Sequence, residues 1–63
     1  MEVQRHMLPK DSYMLLSVVN TKLRDEYPSL SELCASMAED EDKIINQLAL
    51  IGYEYNESLN RFM

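Results

Sequence analysis

The sequence predicts a mostly α domain: three helices in a helix-turn-helix-like (minimal winged-helix-like) arrangement, closed by a short C-terminal β-hairpin. Three observations carry this. Apolar residues recur at helical spacing in three separate runs. Each run is bounded by a capping residue, a proline or the single glycine. From Tyr53 onward the period changes from helical to alternating.

The first helix is expected from Ser12 to Glu26. Asp11 follows Pro9 and Lys10 and is a good N-cap, because its carboxylate can accept from the free N–H groups of the first turn. Leu15, Leu16, Val19, Leu23 and Tyr27 fall on one side. Lys22 and Arg24 suit the negative end of the helix dipole. Pro28 ends the helix, since the residue before a proline avoids the α region. Asn20 lies on the core side beside Leu16, Val19 and Leu23. An unpaired buried amide costs about 1–3 kcal/mol. Asn20 is therefore expected to bond backbone, around Pro28 or at the hairpin; the functional alternative is a ligand-binding amide.

The second helix opens at Ser29. Its hydroxyl can accept from the Glu32 N–H, and the Glu32 carboxylate can reach back to Ser29, which makes a capping box. Leu30, Leu33, Cys34 and Met37 then form a buried stripe. The third helix is expected after Ala38 and Glu39 with Asp40 as N-cap. Ile44, Ile45, Leu48 and Ile51 make its core face, and Gly52 stops it at a position that wants left-handed backbone.

In the tail "YEYNESLNRFM", Tyr53–Glu54–Tyr55 and Arg61–Phe62–Met63 alternate around a polar "NESLN". This reads as a hairpin, with Tyr53 or Tyr55 and Phe62 turned to the helices, because two strands alone are not stable. The predicted core is Leu15, Leu16, Val19, Leu23, Leu30, Leu33, Met37, Ile44, Leu48, Ile51, Tyr53 and Phe62. Residues 1–7 are expected to be a flexible N-terminal segment and residues 8–63 one small domain.

The totals narrow the function. With 63 residues, the core is marginal, and such chains lean on a disulfide, a metal or a partner. Cys34 is the only cysteine, so no disulfide can form within the chain. A lone cysteine and the lack of a leader-like start predict a reducing, cytoplasmic setting. No apolar run approaches a membrane span. The net charge is -5, and residues 28–52 hold five acids against one base. That polarity repels nucleic acid and anionic membrane.

The blocks "LPKDSYMLLSVVNTKLRD", "SLSELC" and "IGYEYNESLNRF" resemble a family of short bacterial proteins catalogued as a domain of unknown function, DUF4250, from Leu8 to Phe62. Proline is usual in that family where this chain has Ser12; serine leaves the Asp11 cap intact. The resemblance implies a bacterial cytoplasmic protein and brings no activity, ligand or catalytic residue.

Each candidate site has a plainer role beside the functional one. A recognition-helix reading of the third helix would use Lys43, Asn46 and Gln47 to meet DNA, the last two being types that pair with adenine edges. DNA affinity rests on several basic contacts with phosphate, and this segment is acidic. Charge alone thus argues against nucleic acid as a partner, and a solvated helix face is the plainer role. His6 and Cys34 are too few for a zinc site, which takes three or four such ligands. The run Glu39–Asp42 lacks the spaced oxygens of a calcium loop and fits a helix N-terminus. Cys34 sits in a core stripe, and no acid–base pair accompanies it. We therefore expect no catalytic residue, metal, cofactor or small-molecule substrate.

What remains is a surplus of apolar residues outside the main stripes: Tyr13, Met14, Val18 and Leu50. They are covered either by Val3, Met7 and Leu8 or by the hairpin, or they form an interface with a protein partner or a second copy of the chain. The leading expectation is a non-catalytic protein-interaction module, possible homodimer included. The alternative is a helix-turn-helix-type DNA-binding regulator.

Overall fold

A computed structural model describes residues 8–63. The expected flexibility of residues 1–7, the covering role of Val3 and Met7, and His6 lie outside the described residues. The chain order is α1 (Ser12–Asp25), α2 (Leu30–Met37), α3 (Glu41–Ala49), β1 (Tyr55–Asn56) and β2 (Arg61–Phe62). The three helices and the antiparallel hairpin are those the sequence predicts.

The helix starts follow from local chemistry. The Asp11 carboxylate accepts from the N–H groups of Tyr13 and Met14 at 2.8 and 3.1 Å. Ser29 Oγ accepts from Glu32 N–H at 3.1 Å, and the Asp40 carboxylate accepts from Asp42 N–H at 3.0 Å. Each of these satisfies donors that a helix leaves open at its N-terminus. The return half of the capping box, from Glu32 to Ser29, is not among the bonds of the described residues. The next open donor, Leu30 N–H, goes instead to the Tyr55 hydroxyl at 3.2 Å.

The helix ends differ in small ways. α1 stops at Asp25, and Glu26 caps it by donating to the Lys22 carbonyl. α2 ends on Ala38 in left-handed backbone, φ 57, so that Glu39 N–H can close on the Cys34 carbonyl at 2.9 Å. An alanine there carries a steric cost that glycine would not. α3 ends earlier than its apolar period suggests, with Ile51 in the following turn. Gly52 has φ 85, and this lets Tyr53 N–H return to the Leu48 carbonyl at 3.0 Å.

The buried core is Leu15, Val19 and Leu23 from α1, Leu30, Leu33, Cys34 and Met37 from α2, Ile44 and Leu48 from α3, and Phe62 from β2. Nine of these follow directly from the predicted core, and Cys34 joins them from the predicted stripe. Leu16, Ile51 and Tyr53 are only half-buried at its margin, where one side of each side chain meets solvent.

The hairpin is short, and α1 holds it. Tyr55 faces Phe62 and Asn56 faces Arg61. Glu54 and Met63 exchange backbone bonds at 3.1 and 2.9 Å. The next pair along, Tyr55 and Phe62, is therefore a non-bonded pair, with side chains close and backbone groups pointing outward. Their rings lie 5.4 Å apart, tilted by 49°. The outward N–H and C=O of Phe62 meet the Asn20 carboxamide: Phe62 N–H donates to Asn20 Oδ1 at 2.8 Å, and Asn20 Nδ2 donates to the Phe62 carbonyl at 3.0 Å. Asn20 thus pairs with β2 as a neighbouring strand would, and one exposed sheet edge is closed. The expected backbone partner of Asn20 is the hairpin.

A second amide fixes the far end of the hairpin. Asn60 adopts left-handed backbone, φ 53, and its Nδ2 donates to the carbonyls of Leu23 and Tyr27 at 3.0 and 2.9 Å. Its Oδ1 accepts from the Tyr55 hydroxyl at 2.6 Å. Asn60 therefore joins the carbonyl end of α1 to the Tyr55 hydroxyl, which in turn caps the first N–H of α2.

Candidate interaction surface

Of the residues offered for a partner, Tyr13, Met14 and Leu50 sit at the surface. Tyr13 is 65% exposed, Met14 59% and Leu50 84%. Val18, one turn beyond Met14 on α1, is half-buried. Met14 and Val18 share one side of α1, since residues four apart stack on a helix. Leu59 in the hairpin loop and Met63 beside β2 are also exposed. Sequence reasoning placed Leu59 inside a polar loop and gave it no role. Its only signal was an apolar residue amid "NES" and "N".

The DNA-directed trio fares unevenly. Lys43 and Asn46 are exposed on α3. Gln47 is half-buried, and its amide donates to the Lys10 carbonyl at 2.6 Å. That bond ties the segment before α1 to α3, so the Gln47 amide already has a structural partner. Lys43 and Gln47 border a groove of about 330 Å³ with Leu8, Pro9 and Lys10.

Two of the four acids at the α2–α3 corner, Asp40 and Glu41, have structural partners. Asp40 caps α3, and a Glu41 carboxylate oxygen accepts from Ser31 Oγ at 3.3 Å. Negative charge at this end of a helix is favourable. Among the described residues no group of three His, Cys, Asp or Glu side chains is placed to hold a metal ion. No helix of the described residues is long and apolar enough to cross a membrane.

Cys34 is 5% exposed, within the α2 stripe. Burial pushes its thiol up from an ordinary 9.0 to about 11, and the charges of Glu41, Glu39 and Asp40 push the same way. Only the thiolate is a good nucleophile, so at neutral pH this sulfur is a small apolar group. Alkylation by iodoacetamide at pH 8 is expected to run at least about tenfold slower in the folded protein than in urea, because burial lowers the thiolate fraction and shields the sulfur. Equal rates would contradict the burial. The sign of the linkage follows. The unfolded thiol ionises first, so its contribution to stability is full below pH 9 and is lost as pH rises towards 11.

A family model described as a domain of unknown function (DUF4250) matches residues 9–62. Comparisons with curated proteins and with solved structures give no match.

Proposed function

The chain belongs to the DUF4250 family, and we propose that it is a non-catalytic protein-interaction module which pairs with a second copy of itself through the exposed apolar side chains of α1 and of Leu50 at the end of α3. The observation that carries this reading is the exposure of Tyr13, Met14 and Leu50, each more than half in water. A chain of 63 residues has little apolar surface to spare from its own core. Methionine and tyrosine are also favoured at the centres of interfaces. Burying a side chain such as Leu50 against a partner gains about 1.5–3 kcal/mol relative to leaving it exposed. The acid excess supports a protein partner over nucleic acid, because it opposes approach to a phosphate backbone.

The solution mass tests the reading. Light scattering after gel filtration is expected to give twice the 7.4 kDa chain mass at high micromolar concentration. Met14→Glu and Leu50→Asp are each expected to weaken association by about tenfold or more while leaving the melting curve of the monomer intact, since both side chains are exposed. A single chain mass at all concentrations, for wild type and variants alike, would remove the proposal.

A further inference from the structure

A groove of about 610 Å³ lies between the second half of α1 and the hairpin. Thr21 and Arg24 line its helix wall, and Leu59 and Arg61 line its hairpin wall. Asn20 and Asn60 also line it, and their amides bond from one wall to the other. The groove is thus held open by its own frame. Neither amide has to move for a ligand to enter, which keeps the ordering cost of binding low.

The charge of this groove runs against that of the molecule. The chain has three arginines and a net charge of -5. Two of those arginines, Arg24 and Arg61, line this one groove, and no acid does. Thr21 and Arg24 are three apart on α1 and so fall on one side of the helix. Arg24 already displays the chemistry. Its Nε and one terminal nitrogen donate to the two carboxylate oxygens of Asp25 at 2.9 and 3.1 Å, a fork-to-fork pair. Both partners are more than half exposed, and exposed pairs of this kind are readily exchanged. A carboxylate from outside can share or replace Asp25 on the same guanidinium. Leu59, 56% exposed, adds an apolar lip.

We propose that this groove binds an acidic peptide segment of a protein partner, with carboxylates on Arg24 and Arg61 and a neighbouring apolar side chain on Leu59. The proposal rests on the reading of the chain as an interaction module and names the chemistry of one partner; the self-association surface of Met14 and Leu50 is separate from it. A peptide is favoured over nucleic acid for two reasons. The groove offers no aromatic face for a base to stack on. A peptide also brings a few local charges, whereas a polynucleotide brings a field that the rest of the molecule repels.

The test is a titration of the full chain with a blocked pentapeptide, leucine flanked by two glutamates on each side, followed by proton–nitrogen correlation spectra. Saturable shifts are expected at the Nε–H groups of Arg24 and Arg61 and at the amides of Thr21 and Leu59. Arg24→Gln and Arg61→Gln are each expected to weaken binding by about tenfold, with unchanged melting curves. The same peptide with lysine for glutamate is expected to give no shift. Shifts that never saturate, or that are as large at Lys10, Lys22 and Lys43, would overturn the proposal as simple charge screening. Tighter binding of a single-stranded oligonucleotide through the same arginines would overturn it in favour of a nucleic-acid cleft. Light scattering on the same samples keeps the two claims apart: dimers with no peptide binding sink the groove alone, and peptide binding by a monomer sinks self-association alone.

Discussion

Asn20→Leu is expected to lower the unfolding free energy by about 2–4 kcal/mol, measured by urea denaturation followed by circular dichroism. Leucine keeps the branched shape with the same number of side-chain heavy atoms, and removes both hydrogen bonds to Phe62. The N–H and C=O of a residue only 1% exposed are then left without partners. Leaving buried polar groups unpaired costs more than making the bond gains. For a chain of this length the whole stability is of the order of 3–9 kcal/mol, from about 0.05–0.15 kcal/mol per residue. The loss is thus a large share of the total. Asn20→Asp separates the two bonds. It keeps an acceptor for Phe62 N–H but faces the Phe62 carbonyl with a second acceptor. Only the protonated acid can donate to that carbonyl, so the folded state should raise the pKa of the new carboxyl. Its stability is then highest below the ordinary aspartate range near pH 4 and falls as pH rises. A change below about 0.5 kcal/mol for Asn20→Leu would mean that water replaces the clamp at no cost.

The helices were legible in the sequence because their signals are local. A cap and its N–H groups lie two or three residues apart, and an apolar stripe repeats every three or four. Asp11, Ser29 and Asp40 could be placed on that ground alone. Asn20 was legible as a problem: a polar residue at a core position must find partners, and the hairpin was one of two offered. Its partner Phe62 is 42 positions away, which no local rule supplies. Asn60 and Tyr55 gave no signal of their kind. Asn60 reads as an ordinary loop residue and Tyr55 as an alternating strand residue. Their roles exist only once α1, α2 and the hairpin have met. The two stretches that carry most of the family resemblance, "LLSVVNTKLRD" and "GYEYN…NRF", contain Asn20, Leu23, Tyr55, Asn60 and Phe62. They are the two stretches that these amides bind together. The groove was illegible for the same reason: Arg24 and Arg61 are far apart in the chain, and the net charge gives no hint that they share a site. The apolar surplus was readable as a surplus, because helical spacing separates Met14 and Val18 from the core stripe.

Asn60→Ala carries the other large effect, an expected loss of about 2–4 kcal/mol. Two carbonyls, that of Leu23 in the last turn of α1 and that of Tyr27 just beyond the helix, lose their donor. The Tyr55 hydroxyl loses its acceptor. Alanine must also hold left-handed backbone that asparagine tolerates better, at a further cost of about 1 kcal/mol. Asn60→Gly divides these contributions. It frees the backbone and still removes the amide, so it should be less harmful than alanine by about that 1 kcal/mol. Tyr55→Phe should cost about 1–2 kcal/mol, because Leu30 N–H at the start of α2 loses the hydroxyl that accepts from it. The decisive measurement is the double-mutant cycle of Tyr55→Phe with Asn60→Gly. If the hydroxyl relays between the two helix ends, its removal matters less once Asn60 is gone. A coupling of about 1 kcal/mol is expected for directly bonded partners. Strict additivity would show that the two caps act independently, and the hairpin would then be a cover laid over α1 and α2 rather than the piece that locks one helix end to the other.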